Sequence, residues 1–378
     1  MTLFVFNVIK VFSLATISSL IAVLWTPILT HFLYKHKLWK KVSGKKAFLG
    51  EEAVVFNNLH KEKEVGTPRM GGLLIWVTVV VVIYLFFILS LIFPNTWIAE
   101  FNFLSRSQTW LPLFTLVIAS FVGLIDDILT VGGWGNPSKG KTDINPGFLK
   151  KIWYFLWYGE KCSNGGMFLR KRLLIVVLLG LVGSLWFYQK LGWDVVYIPF
   201  LGDISIGLWY IPLFIIVTLA CWSGGIIDGL DGLAGGTFAS IFGAFTIISF
   251  ALGKVDLASF CAVIAGTLFA FLWFNIPPAR FYMGETGMLG LTIVLAVVSF
   301  LTNSVFVLPI IGGLLVIEVA SVIIQLLSKK YRGKKIFLST PIHHHFEAMG
   351  WPSYKVTMRF WIVGIVLAFI GVAIRLLK

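Results

Sequence analysis

Charge is scarce in this 378-residue chain: 13% of its residues are Asp, Glu, Lys or Arg, where a soluble domain carries about a quarter. So few charges cannot clothe a water-soluble fold of this length. With 58% hydrophobic residues and a mean hydropathy of +0.91, the main solvent is a lipid bilayer. Cysteine is also scarce. Cys162, Cys221 and Cys261 are too few and too scattered for a disulfide framework or a metal cluster. Acidic residues number 17 against 31 Lys and Arg, so the places where acids gather carry information. Internal repeats, low-complexity tracts and a second domain are absent, and residues 1–378 read as a single integral-membrane domain.

Long apolar runs are abundant. Gly72 to Phe93 holds no charged residue, enough helix to cross about 30 Å of hydrocarbon. Ten such runs are centred near residues 22, 82, 119, 181, 213, 244, 265, 295, 317 and 366. The fold class is an all-α polytopic membrane protein with about ten transmembrane helices. A signal peptide does not explain the first run, which is too long and has no A-x-A-like site before Tyr34.

With ten spans, the loops after odd-numbered spans share one side, and they hold 24 of the 31 Lys and Arg. The other loops hold Arg106, Lys190 and Lys254. Positive loops stay in the cytosol, so both termini are expected outside. The net charge of +14 is then orientation and attraction to anionic headgroups rather than nucleic-acid binding. In one outer loop, Val195–Phe200 and Ile204–Leu208 flank Leu201-Gly202-Asp203, which predicts a small periplasmic β-hairpin. The cytosolic stretch Phe148–Tyr158, aromatic with Lys150 and Lys151 at one end, reads as an interfacial helix.

Five unusual clusters fall in or beside the five cytosolic loops: Gly66-Thr67-Pro68-Arg69, Asp126-Asp127, Asp228 to Gly236 with Asp231, Asn275 with Met283-Gly284-Glu285-Thr286-Gly287, and Pro341 to Glu347 with His343, His344 and His345. Adjacent acids at the end of an apolar run repel, and a bound cation relieves the repulsion. Oxygen ligands of this kind suit Mg²⁺, which takes one or two carboxylates plus water and phosphate oxygens. Solvated helix-end acids are the plain alternative for that pair. Asp228 and Asp231 would share a helix face, with glycines that let backbone approach a ligand; a capped glycine turn is the plain alternative. Three consecutive histidines cannot all face one point on a regular helix, so a loop is expected there, able to bind metal or phosphate or to move protons. Glu318, inside the ninth run, is either functional or a structural partner for a neighbouring helix.

Together these motifs resemble the phospho-N-acetylmuramoyl-pentapeptide transferase family of the polyprenyl-phosphate N-acetylhexosamine-1-phosphate transferase superfamily. The resemblance runs from about residue 60 to the C-terminus and is sharpest over Ile317 to Gln325, Ile336-Phe337, Pro341 to Glu347 and Arg359-Phe360-Trp361. It implies Mg²⁺-dependent transfer of phospho-MurNAc-pentapeptide from UDP-MurNAc-pentapeptide to undecaprenyl phosphate at a cytosolic cleft in the bacterial inner membrane, with release of UMP. A homodimer is implied as well. By resemblance, Asp126, Asp127, Asp231, His343, His344 and His345 are catalytic, Asn275, Asp228 and Thr67 bind substrate, and Glu285 with Asp127 holds the metal. The chain departs from the family pattern at Glu285 (Asp), Thr130 (Lys), Trp222 and Gly225 (Asn), Arg69 (Thr) and Met288 (Ser). Lys139, Lys141 or Lys151 is the expected substitute for the lysine lost at Thr130. Competing readings are a sister GlcNAc-1-phosphate transferase, which the His-His-His-Phe-Glu run disfavours, a weakened homologue acting as a scaffold, and a transporter, which would put its charges near the bilayer midplane.

Overall fold

A computed structural model describes residues 2–40, 65–132 and 166–377. Lys139, Lys141, Lys151 and the expected interfacial helix lie outside the described residues. In chain order the elements are α1 (Leu3–Lys35), α2 (Leu73–Ile92), α3 (Trp110–Gly132), α4 (Leu169–Leu185), β1 (Val195–Ile198), β2 (Gly202–Ser205), α5 (Tyr210–Ser223), α6 (Leu233–Ala251), α7 (Val255–Asn275), α8 (Gly284–Leu301), α9 (Leu308–Ile311), α10 (Gly313–Arg332), α11 (Ile342–Ala348) and α12 (Ser353–Leu376). Hydrocarbon offers the backbone no hydrogen bonds, so the spanning segments close their own as helices. Their hydroxyls do likewise: Thr78 donates to the Leu74 carbonyl at 2.6 Å and Thr218 to that of Phe214 at 2.8 Å.

Among the described residues, nine helices are long and apolar enough to cross a membrane. The tenth expected span is α10, which differs for a physical reason. Its inner stripe, Glu318, Ser321, Gln325 and Ser328, is polar and buried, while Val316, Ile323, Ile324 and Leu327 face outward. Glu318 in that stripe, with Lys329 and Lys330 in the last turn, gives α10 more charge than the nine helices carry in their apolar stretches.

The core is built on α8, buried along nearly its whole length and packed on α3 and α5, and on α7, which packs against α1 and α6. α8 runs antiparallel to α3 at very close range. A Cβ at Gly123 would collide with the Glu285 carbonyl, and one at Gly290 with Ser120 Oγ. The hairpin sits at the far end of α4 from Arg172, with Val195 paired to Ser205 and Ile198 to Gly202. It is shorter than expected. Phe200 turns at φ +68°, Gly202 and Asp203 enter the second strand, and Gly207–Trp209 winds into a 3-10 turn leading to α5. At this same end the Tyr197 hydroxyl donates to the Leu377 carbonyl at 3.2 Å, and Lys10 of α1 pairs with Asp256 at 3.3 Å.

Candidate functional site

At the opposite end, two chemically different clusters form. The first joins α3, α4, α8 and the segment before α2. Asp126 and Asp127, both 1% exposed, leave α3 toward the first turn of α8. Gly284, at φ +70°, precedes Glu285, and any Cβ there would strike Asp127 Oδ2. This left-handed glycine therefore permits the contact between acid and helix start. Asp127 Oδ2 accepts from the Thr286 amide at 2.9 Å and its hydroxyl at 2.7 Å. Asp127 Oδ1 is buried without a hydrogen-bond partner, and Arg69 Nε stands 3.6 Å away.

Arg172, in the first turn of α4, spans the other acids. Its Nη2 meets Asp126 Oδ2 and its Nη1 meets Glu285 Oε1, each at 2.6 Å. Asp126 Oδ1 also accepts from the Met167 amide at 2.5 Å. The planar fork of arginine suits this double contact, which a lysine point charge would not make. Asp126, Arg172 and Glu285 line a small cavity with Val122, Met167 and Trp222.

The segment 66–72 is fixed beside the cluster by backbone pairing: the Tyr282 amide donates to the Pro68 carbonyl at 2.8 Å, and Gly71 and Gly72 donate to Tyr282 and Met283 at 2.8 and 2.9 Å. Thr67 is half-buried in that segment. Thr130 turns its hydroxyl to the Asp126 carbonyl at 2.9 Å.

The second cluster is built on the turn before α6. Asp228 and Asp231 are not on a helix: a 3-10 turn ends at Ile227, and α6 begins after Gly232. Asn275 braces this turn. Its Oδ1 accepts from the Gly232 amide at 3.0 Å, and its Nδ2 donates to the Phe281 carbonyl at 2.9 Å. Asp231 Oδ2 accepts from the Ala279 amide at 3.2 Å.

The histidines are helical, contrary to the expected loop: Pro341 starts α11 over Ile342–Ala348. The expectation that they cannot share one direction agrees with this helix. His343 and His344 turn inward, and a Cβ on Gly229 would collide with His343 Nε2 and come within 3.2 Å of His344 Nε2. His345 turns away, its Nδ1 accepting from the Leu338 amide at 3.2 Å. His344 Nδ1 lies 2.7 Å from Glu347 Oε2, and Ser353 holds the other Glu347 oxygen at 2.6 Å. The clusters adjoin through α8 and the 3-10 turn after α5: a Cβ at Gly225 would lie 3.7 Å from Met288 Cε.

Comparison with known proteins agrees with this architecture. The pattern of Glycosyl transferase family 4 matches residues 165–303. Phospho-N-acetylmuramoyl-pentapeptide-transferase of Lactiplantibacillus plantarum is 34% identical over 314 residues, covering 82% of this chain and 85% of the relative. The proteins of that name from Chloroflexus aggregans and Geobacillus sp. (strain WCH70) are each 32% identical, over 92% and 95% of this chain and 84% and 96% of theirs. The chain belongs to the phospho-N-acetylmuramoyl-pentapeptide-transferase family. It is accordingly a multi-pass bacterial membrane transferase.

Sequence reasoning missed Arg172, which stands in an ordinary-looking basic triplet, Arg170-Lys171-Arg172. Only the fold supplies the signal. The buried stripe of α4, Val176, Gly180 and Ser184, recurs every four residues, and one step back reaches Arg172.

Proposed function

We propose that this transferase moves phospho-MurNAc-pentapeptide from UDP-MurNAc-pentapeptide onto undecaprenyl phosphate, giving lipid I and UMP at the cytosolic face. The observation that carries the reading is the meeting of three carboxylates with two guanidinium groups at one end of the bundle. Phosphoryl transfer needs little covalent help from protein; it needs positioning and charge neutralisation. In this mechanism Arg172 and Arg69 attract the diphosphate. Asp126 and Asp127 orient the incoming lipid phosphate, whose oxygen attacks the β-phosphorus while UMP leaves. His343 and His344 face the Asp228–Asp231 turn on the nucleotide side of the site.

A hard divalent cation suits the donor set. Asp127 Oδ1 is a buried carboxylate oxygen lacking a hydrogen bond, and Glu285 reaches the same cluster. Among the described residues no three His, Cys, Asp or Glu side chains converge as a ready cage, but Mg²⁺ uses one or two carboxylates and completes its shell with water and phosphate. Asp127 and Glu285 would hold it, and it would neutralise charge developing on the transferred phosphate. The positive loops beside the site support a cytosolic opening with both termini outside.

The test is purified protein in lipid with Mg²⁺, undecaprenyl phosphate and UDP-MurNAc-pentapeptide. UMP release with lipid I formation, lost on chelation and restored by Mg²⁺, is the expected result. Turnover of UDP-GlcNAc instead supports the sister enzyme, and no product from either donor at several metal concentrations supports a scaffold.

A further inference from the structure

His343 and Glu318 form a fully enclosed pair: both side chains are 0% exposed, and His343 Nδ1 lies 3.0 Å from Glu318 Oε1. None of the four polar atoms of these side chains makes an aligned hydrogen bond. A buried carboxylate is expensive unless something is gained from it. At 3.0 Å, a small rotation of the ring aligns the Nδ1–H on the carboxylate.

The rest of α10 indicates what is gained. Its polar stripe holds the chain that leads to the histidine helix. Gln325 Oε1 accepts from the amides of Ile336 and Phe337 at 2.9 and 3.0 Å, and its Nε2 donates to the Phe337 carbonyl at 2.9 Å. Ser328 donates to the Lys334 carbonyl at 2.9 Å. Glu318 is the innermost member of the same stripe, and its polar neighbour is the first histidine of α11.

We propose that Glu318 is a positioning residue: it holds His343 in the tautomer protonated on Nδ1 and so presents an unprotonated Nε2 to the Asp228–Asp231 turn. A carboxylate on one imidazole nitrogen fixes both the ring orientation and the role of the other nitrogen. Gly229 leaves room for that nitrogen, since a Cβ there would strike it. The other titratable group facing His343 is His344, with ring centroids 4.1 Å apart, and the Asp228–Asp231 turn meets it through Gly229. The catalytic consequence rests on the transferase reading; the ring geometry does not.

Two measurements on the full chain keep these apart. In ¹⁵N-histidine NMR, the resonances that vanish in His343→Gln identify the ring. They are expected to report Nδ1–H in the parent and to shift to the other tautomer, or average, in Glu318→Ala. Glu318→Gln, which keeps shape and removes charge, serves where the alanine variant does not fold. In UMP release, Glu318→Ala is expected to lose about 10²-fold in kcat with KM within about twofold, and Glu318→Ala combined with His343→Gln to lose no more than His343→Gln alone. An unchanged His343 signal in the Glu318 variants overturns the proposal, as do additive losses in the double variant. A shifted signal in a protein that releases no UMP supports the positioning and counts against the transferase.

Discussion

Asp126, Asp127 and Glu285 are held by guanidinium groups, whereas His343 and His344 stand against carboxylates. The first arrangement stores positive charge beside acids, ready for a ligand that carries several negative charges. The second orients imidazoles by a carboxylate behind each Nδ1, which leaves Nε2 to accept a single hydrogen bond or proton. The departures from the family pattern separate along the same line. Glu285 pairs with Arg172, Arg69 stands against Asp127, Thr130 lies beneath Asp126, and Trp222 lines the cavity with Asp126 and Glu285. Gly225 faces Met288 one turn along α8. The His-His-His-Phe-Glu run is intact. The longer side chain of Glu285 is met by Arg172, which reaches it at 2.6 Å.

If that contrast holds, the largest loss belongs to the acid that Arg69 and Thr286 surround. Asp127→Asn keeps shape but removes the charge, leaving Arg69 facing a neutral group. UMP release is expected to fall about 10³-fold, with the melting temperature changed little. A fall below tenfold places the essential charge elsewhere in the cluster. On the other side, His344→Ala is expected to cost about 10²-fold, the usual scale for a single positioned imidazole. Full activity in this variant would reduce α11 to scaffolding.

The helices were legible because apolar runs must be helical in lipid, and the clustering of acids at one side was legible from charge bias alone. Three features were not. The polar stripe of α10 lies inside an apolar run, and only the fold shows that Glu318, Ser321, Gln325 and Ser328 turn together toward protein. Seven residues of α11 are too short for periodicity to be read and too short to be stable alone; contacts through Glu318, Gln325 and Glu347 make them a helix. Arg172 looked like a membrane flank until Asp126 and Glu285, distant in sequence, were found on its two nitrogens.

Arg172 allows a finer cut. Arg172→Ala leaves Asp126 and Glu285 facing one another without a cation and is expected to cost tens of fold, chiefly in KM for the nucleotide substrate. Arg172→Lys restores charge without the fork and should recover only part of it, about threefold to tenfold below the parent. Equal behaviour of the two variants would mean that the fork, not the charge, carries the effect.

The smallest effect is expected at Thr130, where the family pattern has a lysine. The Thr130 hydroxyl and Arg172 Nη2 both border Gly166, at 2.5 and 3.3 Å from the Cβ position of that glycine. A lysine at 130 would therefore reach into space that Arg172 already serves. Thr130→Lys alone should change turnover by less than about threefold, since a second cation adds little to carboxylates already paired and brings like-charge repulsion. Placed on Arg172→Ala, the same substitution should recover most of the lost activity. Rescue in that double variant, with indifference in the single one, is what a transferred cation requires. A large gain from Thr130→Lys in the parent would instead mean that Arg172 never assumed the role, and that the cluster is short of positive charge.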